Sequence, residues 1–223
     1  MFYIDLFNGL QRHQVQYLLI GGLAVSLHGV ERTTMDIDIT VAMQPENLNA
    51  LIAMAQALKL SPVLPVPLNS LLDLNLLKQW HTERNLIAFA LKTEEIAGVT
   101  IDILLFPPAD FASMYSRAVI FDIANTPVKV AAIDDLIAMK SAVGRPIDLS
   151  DVRYLQNKTQ MKQATNKPFD PAERTYEVSE ERLRAYQALT PAQRFKWVEE
   201  SAAFLRLARV SRENEFQDVK TSK

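Results

Sequence analysis

Asp36 and Asp38 stand one residue apart inside the stretch MDIDITV at 35–41. Read as a strand, this stretch puts Met35, Ile37, Ile39 and Val41 on one face and Asp36, Asp38 and Thr40 on the other. Carboxylates that close repel unless a cation lies between them or one holds a proton. With no cysteine in the chain and no histidine beside them, such oxygen ligands suit Mg²⁺ or Mn²⁺ better than zinc. The same spacing also arises on a water-screened strand face, so the pair alone leaves both readings open. Asp102 is the single charge in the apolar run TIDILLF at 100–106. If that run lies beside 35–41, three carboxylates converge, the set that two-metal phosphoryl transfer needs. A lone charge that blunts an edge strand is the other reading of Asp102.

Upstream, Gly21 and Gly22 fall between an apolar run at 16–20 and a short helical pattern at 23–29. Glycines there let the backbone approach a phosphate, and the helix start offers oriented N–H groups. A tight turn is the plainer alternative. Thr33 and Thr34 offer hydroxyls and Arg32 a two-pronged guanidinium to the same group, although any arginine is more commonly a surface residue. His13, His28 and His81 are too scattered for a zinc site, and His28 reads as a packed or capping residue.

Positioning these residues calls for a mixed set of elements. Apolar spacing predicts helices at 2–14, 45–60, from about Asp134 to Gly144, and again from 148. Strands are predicted at 16–20, 35–41, 85–92 and 99–106, with a further extended run leading into the Asp134 helix. The strands at 85–92 and 99–106 are joined through a turn at Ala97-Gly98, and Pro107-Pro108 ends the second. Residues 61–78, with three prolines, read as irregular chain with a short helix. At 223 residues, 48% apolar and 22% charged, with a net charge of −2, the composition is globular. It argues against a basic, nucleic-acid-coating protein. No basic-then-apolar leader is read at the start. No apolar run nears the roughly 18 residues of a membrane helix, and the lack of cysteine fits a cytoplasmic setting.

The order of apolar strand, Gly-Gly, short helix and Asp-apolar-Asp resembles the DNA polymerase β-type nucleotidyltransferase superfamily. Within it, GGLAVSLHGVERTTMDIDI is most similar to the AbiEii-like nucleotidyltransferase toxins. These carry Gly-Gly-x-Ala, His-Gly, and Arg-x-Thr-x-Asp-apolar-Asp, with Thr34 as the matching threonine here. A later element, Asp135 to Lys140 followed by Gly144-Arg145-Pro146-Ile147-Asp148 and Asp151, also matches, and the resemblance covers roughly 12–156. It implies Mg²⁺ or Mn²⁺ bound by Asp36, Asp38 and Asp102, the three catalytic residues, with Asp102 helping to deprotonate the acceptor. It implies nucleotide phosphates at Gly21, Gly22, Arg32, Thr34 and Lys140. Asp148 is expected to fix Lys140 or Arg145, or to cap a helix.

The expected fold is α/β (α+β): a small mixed β-sheet nucleotidyltransferase palm with flanking helices over 1–156, a linker at 157–177, and a C-terminal helical appendage over 178–223. The expected substrate is an NTP, with tRNA or a protein as acceptor and a toxin–antitoxin role. The alternatives are an aminoglycoside-type acceptor, or a non-catalytic binding module of a toxin–antitoxin pair. Thr190, Pro191 and Gln193 predict a capping box. The apolar residues Leu183, Tyr186, Leu189, Phe195, Trp197, Val198, Phe204, Leu205 and Leu207 predict that the tail binds a cognate antitoxin or a second copy, and adds nothing to the chemistry.

Overall fold

The computed structural model describes residues 2–93, 99–159 and 180–203. The first helix, α1 (Phe2–Arg12), sends Tyr3, Leu6, Phe7 and Leu10 into the core at helical spacing. Strand β1 (Tyr17–Ile20) is buried along its whole length. The chain passes directly into α2 (Gly21–Leu27), whose residues from Gly22 onward are all buried. Then follow β2 (Ile37–Val41), α3 (Pro45–Ala57), the two-residue β3 (Ser61–Pro62), a 3₁₀ turn at Leu68–Leu72, and α4 (Leu74–Arg84). Strands β4 (Ala88–Lys92) and β5 (Thr100–Leu104) precede α5 (Phe111–Ser116), β6 (Val119–Ile123) and β7 (Thr126–Val130). Helices α6 (Ile133–Val143), α7 (Pro146–Thr159) and α8 (Glu180–Ala188) come next. A last described helix, α9, covers 191–203.

Among the described residues the sheet is mixed and seven-stranded, in the order β3-β4-β5-β2-β1-β7-β6. Strand β1 is antiparallel to β2 and parallel to β7, while β2 runs parallel to β5. The α/β class with flanking helices is therefore as expected, but the sheet is larger than the sequence reading. Strands β3 and β6 were not foreseen. The reading also missed α4, which starts where the Asp73 side chain accepts from the Asn75 and Leu76 N–H groups. Strand β2 begins at Ile37 rather than at 35, so Asp36 lies just outside it. The turn at Ala97-Gly98 and most of the 157–177 linker lie outside the described residues, although α7 runs on to Thr159.

Part of the apolar surface of the C-terminal helices is used within the chain: Tyr186, Phe195, Val198 and Ala202 are buried. The Phe195 ring meets Tyr3 and Phe7 edge-on at centroid distances of 5.7 and 6.0 Å. Burying large aromatic groups is strongly favourable, and α1 supplies the apolar surface inside the same chain. The expected capping box is present: Thr190 N–H donates to Gln193 Oε1 at 2.8 Å, and Gln193 N–H to Thr190 Oγ1 at 3.3 Å. Phe204, Leu205 and Leu207 lie outside the described residues. No helix among the described residues is long and apolar enough to cross a membrane.

Candidate active site

Parallel pairing of β2 with β5 sets Ile37 against Ile101, Asp38 against Asp102, and Ile39 against Ile103. Paired residues of neighbouring strands point to the same side of a sheet. The four isoleucines enter the core, at 1% exposure or less, and the two aspartates share the opposite face. Asp36 reaches them from the bend before β2, not through strand alternation, and its Oδ1 accepts a hydrogen bond from the Thr100 hydroxyl at 2.9 Å. Thr40, expected beside the aspartates, is fully buried and donates to the Leu104 carbonyl at 3.1 Å.

The electrostatics record the crowding. Burial raises the Asp38 carboxyl to about 6, the charges of Asp102 and Asp36 add to the rise, and Lys140 and the Gly22 N–H oppose it. Asp102 is raised as well, first by burial and then by Asp36, against a hydrogen bond from Thr100. Among the described residues, no three acidic, histidine or cysteine side chains already stand where they would hold a metal ion. The donor chemistry nonetheless suits a hard divalent cation: three carboxylates, mutually repelling, without nitrogen or sulfur ligands.

Antiparallel pairing sets Ile20 opposite Asp38, so the chain turns into α2 directly beside that carboxylate. Gly21 adopts φ +69°, and a Cβ there would overlap the Asp38 carboxylate. A Cβ on Gly22 would lie 2.9 Å from the Thr34 Cβ. The two glycines therefore have a packing reason of their own: they let α2 begin against Asp38 and the 30s loop. Thr34 is engaged in the same loop, its hydroxyl donating to the Asp36 carbonyl at 3.3 Å. Gly21→Ala is expected to cost about 2 kcal/mol, from left-handed backbone strain plus the carboxylate overlap. Urea unfolding tests this, and an unchanged midpoint would disprove so close an approach of α2 to Asp38.

A basic cluster faces the aspartates. Helix α6 starts with Asp134 and Asp135 in its first turn and ends in a left-handed Gly144, φ +70°, a favourable arrangement at both ends. Its last turn carries Lys140, 8% exposed. Lys140 Nζ lies 2.7 Å from Asp151 Oδ2 and 3.3 Å from Asp148 Oδ1, both on α7. Arg145 forks onto Asp148, with Nε at 2.6 Å from one oxygen and Nη2 at 3.3 Å from the other. Arg32 Nε lies 3.6 Å from Asp151 Oδ1. Burial alone would raise Asp148, but the Arg145 hydrogen bond and the Lys140 charge outweigh it and hold the carboxyl below its usual range. The Lys140 charge acts on Asp38 and the Asp38 charge on Arg145, so cations and carboxylates lie within one another's field. Asp148 thus has the fixing role expected of it. Asp151, which buttresses both Lys140 and Arg32, was read only as part of a motif. Its position three residues after Asp148 on one helix was the available signal.

His28 is a packed residue, its Nε2 2.8 Å from the Ala131 carbonyl and its ring edge-on to Phe121. A cleft of about 590 Å³ lined by Asn69, Leu72, Asp73, Leu74, Asn75 and Lys78, and one of about 450 Å³ between His13 and Asn47, contain none of the three aspartates.

Comparison with curated proteins finds no match. Among solved structures, the chain is similar to a crystal structure of ANT(2")-Ia in complex with adenylyl-2"-tobramycin. The identity is 14%, over 84% of this chain and 96% of that one, with a TM-score of 0.46. It is also similar to a solution structure of the antibiotic-resistance factor ANT(2'')-Ia, at 14% identity over 95% and 94% of the two chains and a TM-score of 0.44. A family model described as "Nucleotidyltransferase of unknown function (DUF6036)" matches residues 4–204. That span takes in the three aspartates, the basic cluster and the described C-terminal helices, and the protein belongs to this nucleotidyltransferase family.

Proposed function

We propose that the chain transfers a nucleoside monophosphate from an NTP to a hydroxyl of tRNA or of a protein, in the cytoplasm, as the toxin half of a toxin–antitoxin pair. The observation that carries the transfer reaction is the register of Asp38 against Asp102, facing the Lys140–Arg145–Arg32 cluster. The toxin role rests on the motif resemblance over 12–156. In this reading the acceptor oxygen bonds to the α-phosphorus, the bond to the bridging oxygen breaks, and pyrophosphate leaves. Asp102, whose carboxyl sits above its ordinary range, takes the acceptor's proton. Lys140 and Arg145, held by Asp148 and Asp151, receive the negative charge of the leaving phosphates, with Arg32 and the first turn of α2 beside them. Asp36, Asp38 and Asp102 would hold the Mg²⁺ or Mn²⁺, which supplies charge neutralisation at the phosphates when bound.

The test is incubation with each α-³²P-labelled NTP and Mg²⁺ or Mn²⁺, first with total RNA and then with a protein lysate. Label in RNA or protein, lost in Asp38→Asn, is the expected result. Label taken up only by a small molecule such as tobramycin would replace this acceptor with the aminoglycoside type. Neither labelling nor NTP binding would leave a non-catalytic binding module.

A further inference from the structure

The C-terminal helices pack on α1 and also grip α2, which carries the glycines that lie against Asp38. Tyr186 on α8 is buried, and its hydroxyl shares a hydrogen bond with the fully buried Ser26 hydroxyl. Arg194 on α9 donates Nη1 to the Leu27 carbonyl at 2.7 Å and Nη2 to the Gln187 carbonyl at 2.7 Å. Its Nε donates to the Tyr186 carbonyl at 3.4 Å. Leu27 ends α2, so its carbonyl is one that the helix itself leaves without a partner. A guanidinium there also complements the negative end of the helix. Burying such a charge is unfavourable unless it is well hydrogen-bonded, and here one side chain ties α2, α8 and α9 together. Trp197 packs edge-on against Tyr186, and Phe195 seats the pair on α1.

Helix α2 has only seven residues, about 10 Å of rise, too short to be stable alone. Its first turn touches Asp38 and Thr34, and its last touches Tyr186 and Arg194. A displacement at one end of so short a rod is transmitted to the other. We propose that α8 and α9 clamp α2, with Tyr186 and Arg194 as positioning residues for the nucleotide site. The proposal rests on the reading of the Asp38 centre as that site.

The test uses the full chain with Tyr186→Phe, Arg194→Met and Arg194→Lys. Amide hydrogen exchange is read over 22–27 and over β1 and β5, and the affinity for Mn²⁺ with the α,β-methylene analogue of each NTP is measured alongside. Tyr186→Phe removes one oxygen and leaves the Ser26 hydroxyl unpaired. It is expected to speed exchange in α2 about tenfold with the strands unchanged, and to weaken the analogue about tenfold. Arg194→Met does the same, and Arg194→Lys recovers part of both. Unchanged exchange in α2 would overturn the proposal, as would equal acceleration in the strands or a loosened α2 with full analogue affinity. A wild-type chain that binds no analogue would overturn the nucleotide-site reading, while the exchange comparison still decides the clamp.

Discussion

Asp38→Asn is expected to stabilise the protein near pH 7 in chelator-treated buffer while removing nucleotidyl transfer by about a thousandfold or more. The Asp38 carboxyl is raised to about 6 by burial first, then by the charges of Asp102 and Asp36. A carboxyl whose folded value exceeds its unfolded value, near 4, holds its proton more tightly in the folded chain. Its contribution to stability is therefore complete below about pH 4 and is lost as the pH rises through 6. By pH 7 the loss is about 3 kcal/mol. Asparagine carries no charge and keeps an oxygen for the Gly22 N–H, so the variant escapes the loss. Melting curves between pH 4 and 8 check this: the wild-type Tm falls across the window and the variant's falls less. Added Mn²⁺ should raise the wild-type Tm and leave the variant's where it was. A variant that melts below the wild type throughout would make Asp38 a structural residue.

Lys140→Met is expected to act in the opposite direction, costing about 3 kcal/mol. Asp148 and Asp151 are 1% and 0% exposed, and Lys140 is the one cation in ion-pair contact with both among the described residues. Arg145 still serves Asp148 at 2.6 Å, and Arg32 Nε lies farther from Asp151, at 3.6 Å. The penalty is therefore a buried carboxylate deprived of its nearer partner. Adding Asp151→Asn to the same chain should recover part of the loss, a coupling that a double-mutant cycle in urea measures directly. Strict additivity of the two changes would mean that Lys140 and Asp151 do not depend on each other.

The parts of the site carried by local pattern were readable in the sequence. Alternation around Asp38, the lone charge of Asp102 and the glycine pair each sit in one short stretch. The parallel register that brings Asp38 to Asp102 joins residues far apart in sequence, and nothing local encodes it. Strand β6 escaped notice because Val119 and Ile120 face outward on an edge, at 39% and 60% exposure, which spoils the inward–outward rule. Its turn is also disguised: Ala124 and Asn125 take φ 52° and 62°, a conformation common for asparagine and rare for alanine. Helix α4 was obscured by the prolines that precede it, although its Asp73 cap was an available signal. For the tail, the surplus of large apolar residues was legible, but their destination on α1 and α2 was not.

The tail's grip also bears on when the protein matures during synthesis. Ser26 and Tyr186 are 160 positions apart, and Arg194 reaches back still further to Leu27. A ribosome adding roughly 5–20 residues each second releases the palm several seconds before the helices that fasten α2. Contacts of such long sequence separation also close late in folding. A nascent chain thus carries its aspartates early and its anchored α2 last, so under the proposed clamp a chain cut short before α8 would hold α2 slackly beside Asp38.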